Sequence, residues 1–584
     1  MTLIRNPIIP GFNPDPSIVR VNEDYYIATS TFEWLPAIQL FHSRDLTSWE
    51  LIGHALQGES APDLRGIAAS GGVWAPCLTH DPTTGLFYLA FSIMRNQTGD
   101  QFDVNNYLVT SPDIRGPWSE PTYLNSYGFD PSFFHDDDGR KWLITLEWDP
   151  RDGYEHPGAI ILEEYDADTK SLIGAPERIF RGATDRGCLE GAHIYKRNGM
   201  YYLMAAEGGT GFGHGVTLAR SSNIRGPWEC DPQSPFITSW TPRYFARNNR
   251  DYLRPQYFAP DAEMQKAGHG SLVNTPNGEW YVAHLSSRPI GLEPRSVLGR
   301  ETSIQQVEWT DDGWLRLLSG GTSASELTTA PAGTPDLPPK DQRFHREDFN
   351  NPEWNPHLLT PRRAASASWA DLNARPSHLR LHGQESLFSR FDVSFVGARL
   401  QGFRTIASTS VEFTPTHYSQ SAGLVAYYNN ENFYYLRVYW SESLNSPALG
   451  ILTGLNGQRQ EWPQERVPLK PGPVKLQARI VDSELQFAWS QDASEYSPIG
   501  PPWDATLLSD EVARGFTGTI IGLTCQDAAR RDTFADFDYI EMDYSLEGFM
   551  ETTPAESGQW HDRNRIGHRV MRQAGTTTDA FAGA

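Results

Sequence analysis

The first half of this chain repeats one short unit five times, and the residue that opens each copy changes. The copies begin at Asp15 (Asp-Pro-Ser-Ile-Val), Trp74 (Trp-Ala-Pro-Cys-Leu), Asp130 (Asp-Pro-Ser-Phe-Phe), Glu190 (Glu-Gly-Ala-His-Ile) and His269 (His-Gly-Ser-Leu-Val). Each is followed by an aromatic strand: Tyr25-Tyr-Ile-Ala, Phe87-Tyr-Leu-Ala, Trp142-Leu-Ile-Thr, Tyr201-Tyr-Leu-Met and Trp280-Tyr-Val-Ala. A hairpin that returns about every 60 residues encodes a propeller blade, because each blade must bury its faces against its neighbours. Between these hairpins lies a second unit, Asp45-Leu-Thr-Ser-Trp49, Asp113-Ile-Arg-Gly-Pro-Trp118 and Asn223-Ile-Arg-Gly-Pro-Trp228, with weaker versions at 168–173 and 307–317. Two hairpins per repeat predict four strands per blade.

The chain is therefore expected to be all-β, a five-bladed β-propeller over residues 1–320 followed by an antiparallel β-sandwich over 345–546. Its 584 residues exceed one ordinary domain. The wider gap before the fifth repeat predicts an insert at 241–260. Gly, Ser, Thr and Pro dominate 321–344, a linker composition. Strands at 410–413, 422–428, 433–439, 474–480, 485–490, 517–525 and 537–544, separated by turn residues, suggest the sandwich, and 547–584 reads as a polar tail.

Composition narrows the partners. A net charge of −23 argues against nucleic acid and anionic membrane. The N-terminal residues form no apolar leader core, so a cytoplasmic protein is expected, with a secreted protein that has lost its leader as the alternative. Cys77, Cys188, Cys230 and Cys525 form no disulfide framework and no CxxC pair.

The blade geometry carries the chemistry. Innermost strands start near one axis, so Asp15, Asp130 and Glu190 should meet there, ringed by Trp74 and His269. Three carboxylates in one cleft repel, and one holds a proton near neutrality. A protonated acid facing an ionised carboxylate is what glycoside hydrolysis requires. A single Asp-Pro is more often a turn cap. Three carboxylates at matching blade positions favour chemistry, since burying them together has a cost that folding does not require.

The strings Gly11-Phe-Asn-Pro-Asp-Pro-Ser-Ile, Tyr25-Tyr-Ile-Ala-Thr-Ser-Thr-Phe-Glu-Trp, Gly72-Val-Trp-Ala-Pro, Phe129-Asp-Pro-Ser, Leu189-Glu-Gly-Ala-His-Ile-Tyr-Lys and Leu298-Gly-Arg-Glu-Thr resemble the β-xylosidase branch of glycoside hydrolase family 43, from about residue 5 to 545. The resemblance implies an inverting exo-enzyme that releases xylose from the non-reducing end of xylo-oligosaccharides. An α-L-arabinofuranosidase acting on decorated arabinoxylan is the alternative. It implies Asp15 as general base, Glu190 as general acid, and Asp130 as the carboxylate that tunes and orients the acid. Arg300 would bind sugar hydroxyls and hold Asp130 electrostatically, while Trp74 and Phe32 would wall the sugar site. No cofactor is required on this reading, although His269 stands where some members hold a divalent ion, so Ca²⁺ through His269 and water is an expectation. Asp136-Asp-Asp-Gly139 reads as a hairpin turn instead of a calcium loop. The sandwich loop 528–533 is a candidate plug for the funnel, and a homo-oligomer is left open. Arg186-Gly-Cys188-Leu and the short segment 289–297 depart from the family pattern where the leaving group would bind, so they bear on substrate preference.

Two rivals remain. A fructosidase-like enzyme would share the architecture, and Trp228-Glu-Cys-Asp-Pro imitates its acid motif, but that segment follows an outer hairpin and the nucleophile motif Asn-Asp-Pro-Asn is missing. A sugar-binding lectin is the reading from another class, and it has no need of three carboxylates.

Overall fold

The computed structural model describes residues 2–151, 158–240, 257–291, 293–335, 340–491 and 495–547. Most of the expected insert, 241–256, and the tail from 548 onward lie outside the described residues.

Five antiparallel sheets stand in sequence order, each built from strands that neighbour one another along the chain except where Trp34–Leu35 leaves the first blade. The first blade is Ser17–Val21, Asp24–Thr29, Ala37–Ser43 and Glu50–Leu56. The second is Gly72–Asp81, Leu86–Asn96, Asp103–Ser111 and Thr122–Tyr123, and the third is Ser132–His135, Lys141–Glu147, Ala159–Asp166 and Ser171–Phe180. The fourth is Glu190–Arg197, Met200–Glu207, Gly215–Ser221 and Glu229–Cys230, with Ile237–Thr238 added on Gly215–Ser221. The fifth is Gln265–Asn274, Trp280–Ser287, Glu301–Trp309 and Leu315–Leu317. The recurrent Ile-Arg-Gly-Pro-Trp unit is one turn used twice. Asp113 and Asn223 each accept the N–H two residues on, at 2.9 Å, and Gly116 and Gly226 both sit at φ 89°.

Polar contacts tie each blade to the next. Leu78 N–H donates to Ser17 Oγ at 2.9 Å, Lys141 pairs with buried Asp81 at 2.6 Å, and Ser132 Oγ donates to the Ala192 carbonyl. Arg316 pairs with Asp231 at 2.6 Å, and Ile18 N–H donates to Ser271 Oγ at 3.0 Å, which completes the ring. The stretch expected to be a linker does more than connect. Within it, Leu327–Thr329 pairs antiparallel with Leu3–Arg5, and Asn6 Nδ2 reaches the carbonyls of Ile304 and Ser325. The two ends of the propeller are thereby clasped. Composition hid this strand because a two-stranded clasp needs little apolar sequence.

The sandwich has two large antiparallel sheets. One orders Ala370–Asp371, Leu379–His382, Phe534–Asp543, Arg404–Glu412, Val474–Val481, Glu484–Ser490 and Ser497–Asp504. The other orders Ser394–Arg399, Ile520–Asp527, Gln420–Asn429, Asn432–Ser441, Ser446–Leu455 and Gln458–Glu461. Between them lies an apolar core that includes Leu424, Leu436, Val438, Leu476, Phe487 and Phe537. A separate cluster crosses from one domain to the other and joins Phe12, Phe32, Trp34 and Trp74 of the propeller to Phe395, Tyr427, Phe433 and Ile520 of the sandwich. Thr360–Pro361 even pairs as a strand with Trp34–Leu35. The face of the propeller that carries Phe32 and Trp74 is therefore not free surface. Among the described residues no helix is long and apolar enough to cross a membrane.

Candidate active site

The five repeats converge on the axis in a register one residue off the expected one in two blades. Asp15, Ala75, Asp130, Gly191 and His269 all adopt left-handed backbone, with φ of 56°, 41°, 54°, 58° and 51°. Together they line a small axial cavity of about 10 Å³. A non-glycine residue at positive φ is unfavourable by about 1–2 kcal/mol, so four such residues at equivalent points mark a shared backbone requirement. Trp74 and Glu190 each precede this point. The points equivalent to Asp15 in these two blades are therefore Ala75 and Gly191, not Trp74 and Glu190 as the motifs suggest. The bulges that follow Trp74 and Glu190 in their strands absorb the difference.

Asp15 is 6% exposed and surrounded by donors. Ser30 Oγ donates to Oδ2 at 2.7 Å, His269 Nδ1 lies 3.3 Å from Oδ1, and Arg300 Nη1 lies 3.8 Å from the same oxygen. Ser30 is itself positioned by the Ala75 N–H at 2.7 Å. Burial alone would raise the Asp15 pKa. The charge of Arg300, the hydrogen bond and charge of His269, and the Ser30 hydroxyl overcome it and hold the carboxyl well below the usual range.

Glu190, 8% exposed, has the opposite surroundings. Its Oε1 has no hydrogen-bond partner, and burial followed by the negative charge of Asp130 pushes its pKa up to about 8. His214 Nε2 is 4.0 Å from Oε1. This is no ion pair, because burial, then the charge of His269, pushes His214 down to about 3. The Lys266 carbonyl, 3.2 Å from His214 Nδ1, can only accept. The ring proton therefore sits on Nδ1, and the Nε2 lone pair faces Glu190. Asp130, 7% exposed, accepts the Gly191 N–H at 2.9 Å. Burial raises it most, and it is pushed up to about 6.

Arg300 departs from expectation. Its guanidinium lies against Asp15, and its Nη2 donates to the Phe516 carbonyl at 2.9 Å. Arg300 thus supports the ionised carboxylate directly, while Asp130 receives only a minor part of its charge. Phe32 and Trp74 are buried side by side, 5.8 Å between ring centroids.

The sequence missed three contributors. Phe516 comes from the sandwich, packs 6.0 Å from Phe32 and 5.8 Å from Trp74, and donates its N–H to Ser70 Oγ at 2.9 Å. The capping loop is therefore 509–517. The expected plug 528–533 makes its polar contacts with Asp527 and Glu385, inside the sandwich. The capping loop is anchored by a buried cluster: Lys266 Nζ lies 3.2 Å from Asp510 and 2.7 Å from Glu511, and Tyr428 donates to Asp510 at 2.8 Å. Ser30 and His214 were the other two. The glycine-rich turn 208–215 around His214 was the visible signal, and in the fold the His214 ring packs so closely on Gly268 that a side chain there would overlap it.

His269 does not fit a calcium site. Its Nδ1 faces Asp15, and although burial lowers its pKa, the bond and charge of Asp15 and then the charges of Asp130 and Glu190 push it up to about 9. The ring is thus a cation at neutral pH. Among the described residues no three His, Cys, Asp or Glu side chains converge on an ion, and the axial cavity admits about one water where Ca²⁺ takes six to eight oxygen ligands. Asp136 is a hairpin turn, as expected: it accepts the Gly139 N–H at 3.0 Å and pairs with Lys196 at 2.6 Å. Glu229, of the fructosidase-like motif, pairs with Arg220 on the exposed outer edge of blade four.

Residues 4–315 match Glycosyl hydrolases family 43, and residues 346–543 match the Beta xylosidase C-terminal Concanavalin A-like domain. The chain is 42% identical over 552 residues to Xylosidase/arabinosidase 43B of Humicola insolens, covering 92% of this chain and 97% of that one. It is 31% identical over 553 residues to a non-reducing end alpha-L-arabinofuranosidase of Bacteroides ovatus, covering 92% and 94%. The crystal structure of a xylan beta-1,4-xylosidase from Bacillus halodurans superposes with a TM-score of 0.86 at 45% identity, over 92% of this chain and all of that one. Likeness of this extent runs through both domains, and the chain belongs to glycosyl hydrolase family 43.

Proposed function

We propose that this glycosidase releases xylose from the non-reducing end of xylo-oligosaccharides with inversion, using Asp15 as general base, Glu190 as general acid and Asp130 to raise and orient the acid. The observation that carries the reading is the contrast in protonation within one cleft. Asp15, beside Arg300 and His269, is held ionised and can take a proton from water. Glu190, with an unpartnered Oε1, keeps its proton near neutrality and can give it to the leaving oxygen.

The capping loop supports exo-action. Phe516 closes over Phe32 and Trp74, so a pocket for a terminal sugar suits the site better than an open groove. A second activity on terminal α-L-arabinofuranosides is favoured by the likeness to the Humicola xylosidase/arabinosidase and the Bacteroides non-reducing end alpha-L-arabinofuranosidase. Proton NMR of the first sugar released from xylobiose tests the reading. The expected product from the β-linked donor is α-xylose. Initial β-xylose, or a covalent glycosyl-enzyme, overturns the single displacement.

A further inference from the structure

The capping loop 509–517 is held at two places. At its start, Asp510 and Glu511 are tied to Lys266, and Tyr428 donates to Asp510. At its tip, the backbone of Phe516 is pinned on both sides of Cα. Its carbonyl accepts Arg300 Nη2 at 2.9 Å, and its N–H donates to Ser70 Oγ at 2.9 Å. Arg300 also serves Asp15, whereas Ser70 touches none of the three carboxylates of the cleft.

Ser70 is 2% exposed and gives each of its polar groups a different partner. Its hydroxyl receives Phe516, its carbonyl accepts Trp74 Nε1 at 2.9 Å, and its N–H donates to Glu33 Oε2 at 3.0 Å. A buried indole N–H needs an acceptor, and here the same residue that supplies it also receives the loop tip. One serine is thereby bonded to two aromatic walls from different domains. Trp74 comes from the second blade and Phe516 from the sandwich, and their rings meet edge to face at 78° with centroids 5.8 Å apart.

The local backbone favours a use for the hydroxyl. Ser70 sits at φ 60°, a left-handed conformation that glycine adopts most readily, and Gly71 and Gly72 follow it. A serine nevertheless occupies the point, and its Oγ is the atom that the loop tip meets. The loop is shaped for this approach. A carbon added at Gly515 would lie 2.8 Å from Ser70 Oγ and 2.7 Å from the Tyr428 hydroxyl, so glycine lets the tip come this close.

Glu33 braces the serine from behind. It is 1% exposed, and its Oε1 lies 4.0 Å from Arg362 Nη2. Arg362, from the sandwich, is itself fixed: its Nε donates to the Ile67 carbonyl and its N–H to the Glu33 carbonyl, both at 2.7 Å. The domain that sends the loop therefore also steadies the residue that receives it.

We propose that Ser70 is a positioning residue for the sugar pocket, a role that rests on reading the cleft as a pocket for a terminal sugar. Its hydroxyl seats the tip of the capping loop and its carbonyl orients the Trp74 indole, so that together they set the spacing of the two walls. Steady-state kinetics of full-length Ser70→Ala and Ser70→Gly on xylobiose test it, together with hydrogen exchange of backbone amides. Both variants lose the acceptor, and glycine suits φ 60°, so Ser70→Gly serves should Ser70→Ala fail to fold. The KM for xylobiose and the inhibition constant of D-xylose should rise together, by about fivefold, while kcat falls by a smaller factor. Exchange at the loop tip, 515–517, should quicken at least tenfold, while 510–512 keep their protection because Lys266 and Tyr428 still hold them. A fall in kcat with KM and the D-xylose constant in place makes Ser70 merely structural and overturns the proposal. Unchanged exchange at the loop tip overturns it as well. A wild type that does not cleave xylobiose refutes the functional reading instead, and exchange at the loop tip then decides the role of Ser70 by itself.

Discussion

Asp15 and Glu190 share one cleft and one degree of burial, yet the protein treats them in opposite ways. Around Asp15 it gathers a hydroxyl, an imidazolium and a guanidinium. Around Glu190 it places another carboxylate and the lone pair of a neutral imidazole, and it leaves Oε1 unpartnered. Burial raises both carboxyls, so the neighbours alone separate them. Division of labour between two chemically equivalent groups is here a matter of which donors each is given.

The largest test of this contrast removes the ionised member. Asp15→Ala should lower kcat by about 10³-fold or more on every substrate, because water then lacks its base whatever the leaving group. Steady-state rates on a nitrophenyl xyloside and on xylobiose should fall alike. Loss confined to one of them breaks the assignment.

Removing the protonated member should discriminate. Glu190→Ala is expected to cost about 10²–10³-fold on alkyl glycosides and xylobiose, and far less on nitrophenyl xyloside, whose leaving group needs little protonation. Equal losses on both would remove Glu190 from the acid's role.

The pH profile sharpens the comparison. On the proposed mechanism, activity needs Asp15 ionised and Glu190 protonated. Since Asp15 is held below the usual carboxylate range, its limb should fall at lower pH than an ordinary aspartate would give. Glu190, pushed up to about 8, sets the alkaline limb. Asp130→Asn removes a negative neighbour, the Glu190 pKa falls, and the alkaline limb of kcat/KM should move to lower pH by about one unit. An alkaline limb that stays in place assigns Asp130 a purely structural part.

The smallest effect belongs to His214. With its lone pair toward Glu190, it favours the protonated carboxyl. His214→Phe should therefore shift the alkaline limb downward by a few tenths of a pH unit, about 0.5 kcal/mol. A shift to higher pH would mean that His214 carries charge.

Much of this site was legible because repetition converts sequence into geometry. Asp15 and Asp130 could be superposed from their motifs alone, and they do occupy equivalent backbone. Glu190 was found by the same logic but placed one position too far along, because its blade gives the left-handed point to Gly191. What could not be read came from packing between distant segments. Phe516 has no motif, and it reaches the cleft only because the two domains share an apolar core. Arg300 was expected to hold Asp130, and its charge does act there, but only the fold shows that it lies against Asp15 and acts mainly on that carboxylate. In the sandwich, Ser497–Asp504 escaped notice because Pro498, Pro501 and Pro502 argue against a strand, which they permit only at the sheet edge where it lies.

The buried cluster of Lys266 with Asp510 and Glu511 has a consequence for how the protein is made. Synthesis runs from the N-terminus, so all five blades leave the ribosome before either acid exists. Until then Lys266 has no counter-charge, and the carbonyl that orients His214 belongs to a residue that cannot yet be buried cheaply. The newborn propeller must keep that ammonium in water and hold its aromatic face uncovered. The cleft is therefore complete only once the capping loop has been made, and a chain that stops before that loop would have its three carboxylates but no finished pocket.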